Sequence, residues 1–122
     1  MAGTAVQTYP PAKIGGPATK ELAGTRLVYE YTTGLRAQLD FGLDTVTWVF
    51  LKVSNETSDP MPYRARKIRE NLYMVHWINL PINTHVTLIV DFETRELHVS
   101  AMMPGAIEFF DIAEIETIER PS

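Results

Sequence analysis

From Arg26 onward the chain runs in short stretches rich in Val, Ile, Thr, Tyr, Phe and Trp, in which apolar and polar positions alternate. Turn residues interrupt these stretches about every ten positions, the spacing of an all-β meander. Arg26 to Thr32 predicts a first strand with Leu27, Tyr29 and Tyr31 on one face. Thr33-Gly34 turns it into Leu35 to Phe41, where Leu35, Ala37, Leu39 and Phe41 share a face. Gly42 to Asp44 leads into Thr45 to Val53, which groups Val46, Trp48 and Phe50, and Ser54 to Pro62 makes a polar loop. Tyr63 to Glu70 alternates Arg64 and Arg66 with Tyr63, Ala65 and Lys67, and Asn71 turns it into Leu72 to Asn79. Pro81, Asn83 and Thr84 close that strand. Val86, Leu88 and Val90 form the inward set of the next, and Glu93-Thr94-Arg95 turns it into Leu97 to Met103. After the Pro104-Gly105 break, Ile107 to Glu119 fits two periods. Ile112, Ile115 and Ile118 have helical spacing, whereas Ala113, Ile115 and Thr117 alternate with Glu114 and Glu116 as in a strand. The segment is read as a strand.

Seven or eight antiparallel strands in sequence order, with no helix to cover a sheet face, must bury their apolar faces against one another. A closed barrel does this and removes the exposed edges. The expected fold class is therefore all-β, a closed antiparallel meander barrel of about eight strands. Such a barrel is filled by side chains or holds one small ligand, as in lipocalins. The first twenty residues differ: Pro10, Pro11, Pro17, Gly3, Gly15 and Gly16 sit among small and polar residues. Residues 1–20 read as a flexible N-terminal arm and 21–122 as a single β-barrel domain.

Composition removes several classes of function. Without cysteine, disulfide frameworks, thiolate metal sites and cysteine nucleophiles are excluded. Eleven basic and fifteen acidic residues, a net charge of −4, give no footprint for nucleic acid or an anionic membrane. No apolar stretch approaches the ~18 to 20 residues that span a bilayer, and the N-terminus lacks a basic region followed by an apolar one. A cytoplasmic protein is expected, with neither nucleic acid nor membrane as partner. On the same ground Asn55-Glu56-Thr57 reads as a chance match to a glycosylation acceptor.

The run from Gly24 to Gly34, Thr45-Val46, Leu72 to Trp77, Thr84 to Phe92 and Leu97-His98 resembles the phenolic acid decarboxylases. It looks closer in style to the family named after molybdenum-cofactor biosynthesis protein F (MoaF-like). The resemblance spans about Gly24 to Met103, and the stretch from Phe110 to Ile115 is similar to a terminal strand. Both families imply an eight-stranded calycin-like barrel, and the decarboxylases imply a dimer with the ligand inside. In the decarboxylases a Tyr-x-Tyr pair and an arginine at the barrel mouth bind substrate, and a glutamate transfers the proton. Tyr29 and Tyr31 match the tyrosine pair, and Arg64 or Arg66 the arginine. The glutamate position, two residues after Trp77, is Asn79, and another family tyrosine falls at Ala37. An amide cannot cycle a proton near neutral pH, so hydroxycinnamate decarboxylation is disfavoured.

The expected inward set brings tyrosine hydroxyls, an indole N–H, an amide and a guanidinium into one apolar wall. Buried polar groups need partners, and a flat ligand carrying a carboxylate or enolate would supply them. Tyr29, Tyr31 and Arg64 are the candidate catalytic residues, as acid or orienting groups and as anion clamp. Trp48, Arg66, Tyr73, Trp77, Asn79, Ala101 and Met103 are candidate ligand contacts. No metal and no cofactor are expected, since His76, His85 and His98 fall on the outward set without local metal-ligand spacing. Two functions follow: an enzyme using metal-free acid/base chemistry (lyase, isomerase, dehydratase or cyclase), or a non-catalytic carrier or sensor barrel. A third reading is a filled barrel that serves only as an interaction module. Met74, His76 and Ile78 beside Thr87 and Ile89 make an apolar outer patch, which suggests a homodimer.

Overall fold

The computed structural model describes residues 15–121. Its strands are β1 (Arg26–Tyr31), β2 (Arg36–Phe41), β3 (Thr45–Phe50), β4 (Met61–Pro62), β5 (Arg64–Arg69), β6 (Leu72–Asn79), β7 (Thr84–Asp91), β8 (Glu96–Met103) and β9 (Ile107–Glu119). A 3-10 turn at Leu80–Ile82 joins β6 to β7. All ladders are antiparallel, in the order β4-β3-β2-β1-β9-β8-β7-β6-β5. The two ends of this sheet, β4 and β5, are separated in sequence by Tyr63 alone. They form one bent stave whose first half pairs with β3 (Val46↔Met61) and whose second half pairs with β6 (from Arg64↔His76). Nine strands thus make eight staves of a nearly closed up-and-down barrel, the all-β meander expected from the alternation.

Residues 107–119 are a strand, and β9 closes the barrel by pairing with β8 on one side and β1 on the other. Val28 faces Thr117 while Tyr29 faces Ile115, so Glu116 is the extra residue of a bulge. The bulge resets the alternation. Ala113 and Ile115 point inward before it, and Ile118, opposite Leu27, packs on the core after it. The three-residue step from Ile115 to Ile118 that imitates a helix is this bulge. Arg95 caps its carbonyls, Nε donating to Ile115 O at 3.2 Å and Nη2 to Glu116 O at 2.7 Å.

One end of the barrel is plugged. The turn at residues 21–24 inserts Leu22, with no exposed surface, into the core. The Tyr73 hydroxyl donates to Glu21 Oε1 at 2.6 Å, and the Arg120 guanidinium lies 4.4 Å from the centre of the Phe92 ring. Of the arm expected over residues 1–20, residues 1–14 lie outside the described residues. Residues 15–20 follow β5, where Thr19 N donates to Ala65 O at 2.9 Å.

The bent stave has the opposite facing from the one the sequence suggests. Tyr63 and Ala65 are buried, whereas Arg64 and Arg66, expected inside, face outward. Tyr63 sets this register: its ring meets Phe41 edge-on with centroids 5.2 Å apart, and its hydroxyl donates to Gly42 O at 2.7 Å. A one-residue slip would replace Tyr63 and Ala65 in the core by two guanidinium groups, each needing a buried partner.

Candidate functional site

The end opposite Leu22 holds a cavity. Its wall is built from inward positions on both sides of the barrel: Tyr29, Tyr31, Ala37 and Leu39 from β1–β2, Trp48 and Phe50 from β3, and Trp77 from β6. Thr84, Val86, Leu88, Val99, Ala101, Met103 and Phe109 complete it. The centres of water-sized molecules have about 50 Å³ there, within about 470 Å³ of empty space that runs out through the mouth. Among the described residues, the lining contains no serine, lysine, arginine, histidine or carboxylate.

The bend at Tyr63 shapes this end. Residues 77–79 of β6 extend past Arg64, the first residue of β5, and Trp48 pairs outward only with the loop, where Ser58 N donates to Trp48 O at 2.8 Å. Trp48 and Trp77 cover the resulting gap between β3 and β6 by stacking, with centroids 5.4 Å apart and planes 24° off parallel. On the other wall Tyr31 meets Tyr29 edge-on at 5.3 Å and Phe109 at 4.9 Å.

Polar atoms are few and specific. Trp77 Nε1 and Asn79 Oδ1 are buried and have no hydrogen-bond partner among the described residues. Burial pushes the Tyr29 hydroxyl up to about 12, against a hydrogen bond from Tyr31 that lowers it. Tyr31 is raised further, chiefly by burial and then by Tyr29 and the charge of Asp111. Both phenols therefore stay protonated near neutral pH and act as hydrogen-bond donors.

Of the candidate residues, Tyr29, Tyr31, Trp48, Trp77, Ala101 and Met103 meet on the cavity wall. Asn79 is buried one inward position beyond Trp77, paired with the lining residue Thr84. Tyr73 is not with them: it belongs to the plugged end, held by Glu21 and packed on Phe92. Arg64 and Arg66 are outside the barrel, so the guanidinium clamp expected at the mouth is absent from the lining. Lys67 sits at the plugged rim, 3.3 Å from Glu21. Phe109 and Thr84 were missed as candidates. Both follow from parity, Phe109 by counting back from Ala113 and Thr84 by counting back from Val86. His76 and His85 do meet on the outer face, with Nδ1 and Nε2 3.4 Å apart, and no group of three or more His, Cys, Asp or Glu suited to a metal occurs among the described residues.

A meander barrel plugged at one end, with an aromatic cavity at the other, is a calycin-like architecture. Within that class the chain belongs to the MoaF family: the model of the MoaF N-terminal domain matches residues 14–103. No curated protein matches the chain. Among solved structures it is similar to a crystal structure described as a "putative beta-lactamase from Burkholderia vietnamiensis". The TM-score is 0.69 at 14% identity, over 78% of this chain and 93% of that one. At that identity the likeness is one of fold. Among the described residues no helix is long and apolar enough to cross a membrane.

Proposed function

We propose that this barrel binds a small, flat, uncharged compound that carries both a hydroxyl and a carbonyl or ring oxygen. The observation that carries the reading is the unpartnered Trp77 Nε1, buried on the wall of a largely apolar cavity, with the unpartnered Asn79 Oδ1 buried one inward position beyond it on the same strand. Buried polar groups are almost always satisfied, and here an acceptor for the indole and a donor for the amide oxygen would satisfy both. Tyr29 and Tyr31 add phenolic donors on the facing wall. An acidic ligand, the expectation while arginine was placed inside, loses its support, because an anion in a lining without positive charge is costly. The free volume suits one ring; a larger ligand requires Trp48, Phe50 or Met103 to move.

Binding is favoured over acid/base catalysis because no group on the lining accepts a proton near neutral pH. The enzymatic reading keeps one specific support. Two protonated phenols side by side can polarise a carbonyl oxygen, as in oxyanion stabilisation, and so promote isomerisation or elimination in a ligand that supplies its own base. Tryptophan fluorescence during titration with 4-hydroxyacetophenone, and with 4-hydroxybenzoate as its charged counterpart, tests the binding reading. The ketone should quench and shift the emission of the Trp48–Trp77 stack, the acid much less, and Trp77→Phe should weaken ketone binding. Failure of every neutral aromatic tried at millimolar concentration, with no small molecule carried through native mass spectrometry from cell extract, would overturn it.

A further inference from the structure

The outward arginines sit in a second constellation. β5 carries Arg64, Arg66, Lys67 and Arg69 in a chain of net charge −4, which concentrates positive charge on one stave. The neighbouring carboxylates Glu21 and Glu70 pair with Lys67, at 3.3 and 3.2 Å. Arg66 donates to the carbonyls of Gly15 and Pro17, pinning the start of the described chain beside β5. Arg64 has no hydrogen-bond or ion-pair partner among the described residues. Across the ladder it faces His76, whose Nδ1 lies 3.4 Å from His85 Nε2. A groove of about 260 Å³ opens at this point, lined by Gly15, Ala18, Arg64, Arg66, Met74 and His76 together with Ala65.

We propose that this groove is a binding site for the phosphate group of a small phosphomonoester, held between the Arg64 guanidinium and the His76 imidazole. The fork of Arg64 and the ring of His76 come from neighbouring strands and offer donors from two directions. That suits a tetrahedral oxyanion, whereas a planar carboxylate is satisfied by the fork alone. The groove is larger than a bare ion needs, and Met74 and Ala18 give it an apolar wall for the ester's carbon part. His76 is held below the ordinary histidine range by burial, then by His85 and Arg64. Near neutral pH it is therefore uncharged, and a bound anion, by reversing the local field, favours its protonated form.

Among the described residues, the groups around His76 are Arg64 and Arg66 from β5, His85 and Thr87 from β7, Met74 and Ile78 from its own strand, and Gly15 and Ala18. None of them is an acid that could take the anion's place. Affinity should thus rise as pH falls through the histidine range.

Titration of the full chain with phenyl phosphate, followed by the imidazole resonances of His76 and His85, tests the proposal. Both resonances should move, and Arg64→Gln should weaken binding by about tenfold or more, the worth of one charge-assisted contact. Arg69→Gln, on the same strand outside the groove, should leave affinity unchanged. Sulfate, which keeps its charge between about pH 6 and pH 8, should bind more tightly at the lower value, and His76→Gln should abolish that difference. Equal losses from Arg64→Gln and Arg69→Gln, unmoved histidine resonances in the unaltered protein, or pH-independent sulfate binding would each overturn it. The resonance shifts are read on the natural chain, so a poorly folding variant cannot decide the matter.

Discussion

At the residue scale, Tyr29 and Tyr31 determine what the cavity can do with a proton. Both hydroxyls are raised above the ordinary phenol value of about 10, Tyr29 to about 12, chiefly by burial. A group whose pKa is higher folded than unfolded contributes stability in full below the unfolded value and loses it as pH rises through the folded one. Alkaline difference spectra should therefore show a phenol titrating near 12, and stability should decline between about pH 10 and pH 12. Tyr29→Phe and Tyr31→Phe keep the ring volume, so each should cost at most roughly 1 to 2 kcal/mol in denaturant melts. Ligand binding in the same variants should fall further than stability does. If it holds while the melting point drops sharply, the tyrosines are only core. Asn79 carries a second expectation. With an amide where the decarboxylases place their carboxyl, incubation with hydroxycinnamic acids should release no carbon dioxide above background. Turnover at ordinary enzyme rates would show that another group moves the proton.

At the scale of elements, β9 is the strand on which closure depends. It lies beyond the span of the family match, residues 14–103, yet it pairs along both β1 and β8. A chain ending at Met103 would expose two full strand edges and the apolar faces of Tyr29, Tyr31 and Leu97, and it should aggregate rather than fold. A soluble, cooperatively melting fragment would show that closure is dispensable. Within β9, Asp111 fastens the turn after β1. It accepts from Thr32 Oγ1 at 2.5 Å and Thr33 Oγ1 at 3.2 Å, contacts that together with its backbone bonds hold its carboxyl below the ordinary value. The sign is that of a depressed acid: its contribution is present above about pH 4 and disappears as pH falls through the folded pKa. Asp111→Asn should flatten the acid side of the stability profile without moving the alkaline side.

For the whole molecule, the open question is what covers the outer face of β6–β9. Met74, Ile89 and Ile112 lie in one cross-strand row with His98, and Phe110, 78% exposed, stands in the next row with Ser100 and Thr87. The homodimer expected from this apolar face is proposed to form around Phe110 and Met102. Sedimentation at micromolar concentration should give a dimer mass for the natural chain and a monomer mass for Phe110→Asp. A monomer in the natural chain would remove the proposal.

The barrel is written in the alternation of the chain. Period-two alternation with turns near every tenth residue specifies half-buried strands, and strands without covering helices have to close on themselves. Most of the cavity wall was legible for the same reason: Tyr29, Tyr31, Trp48, Trp77, Ala101 and Met103 share the parity of their strands' apolar positions. The rest depends on contacts between segments far apart in the chain. Which way β5 faces could not be read from residues 63–69, because Tyr63-Ala65 and Arg64-Arg66 alternate equally well. The packing of Tyr63 on Phe41 and its bond to Gly42, from another part of the chain, settles it. Tyr73 has the inward parity of Trp77, but strand direction alone does not say which end of a barrel is plugged. Leu22 and Glu21 do, and they come from a turn far away in sequence. The bulge at Glu116 is likewise a matter of pairing, since an extra residue is defined only against the strand opposite. Alternation reports which positions are buried together; the contacts between distant segments decide what they are buried against.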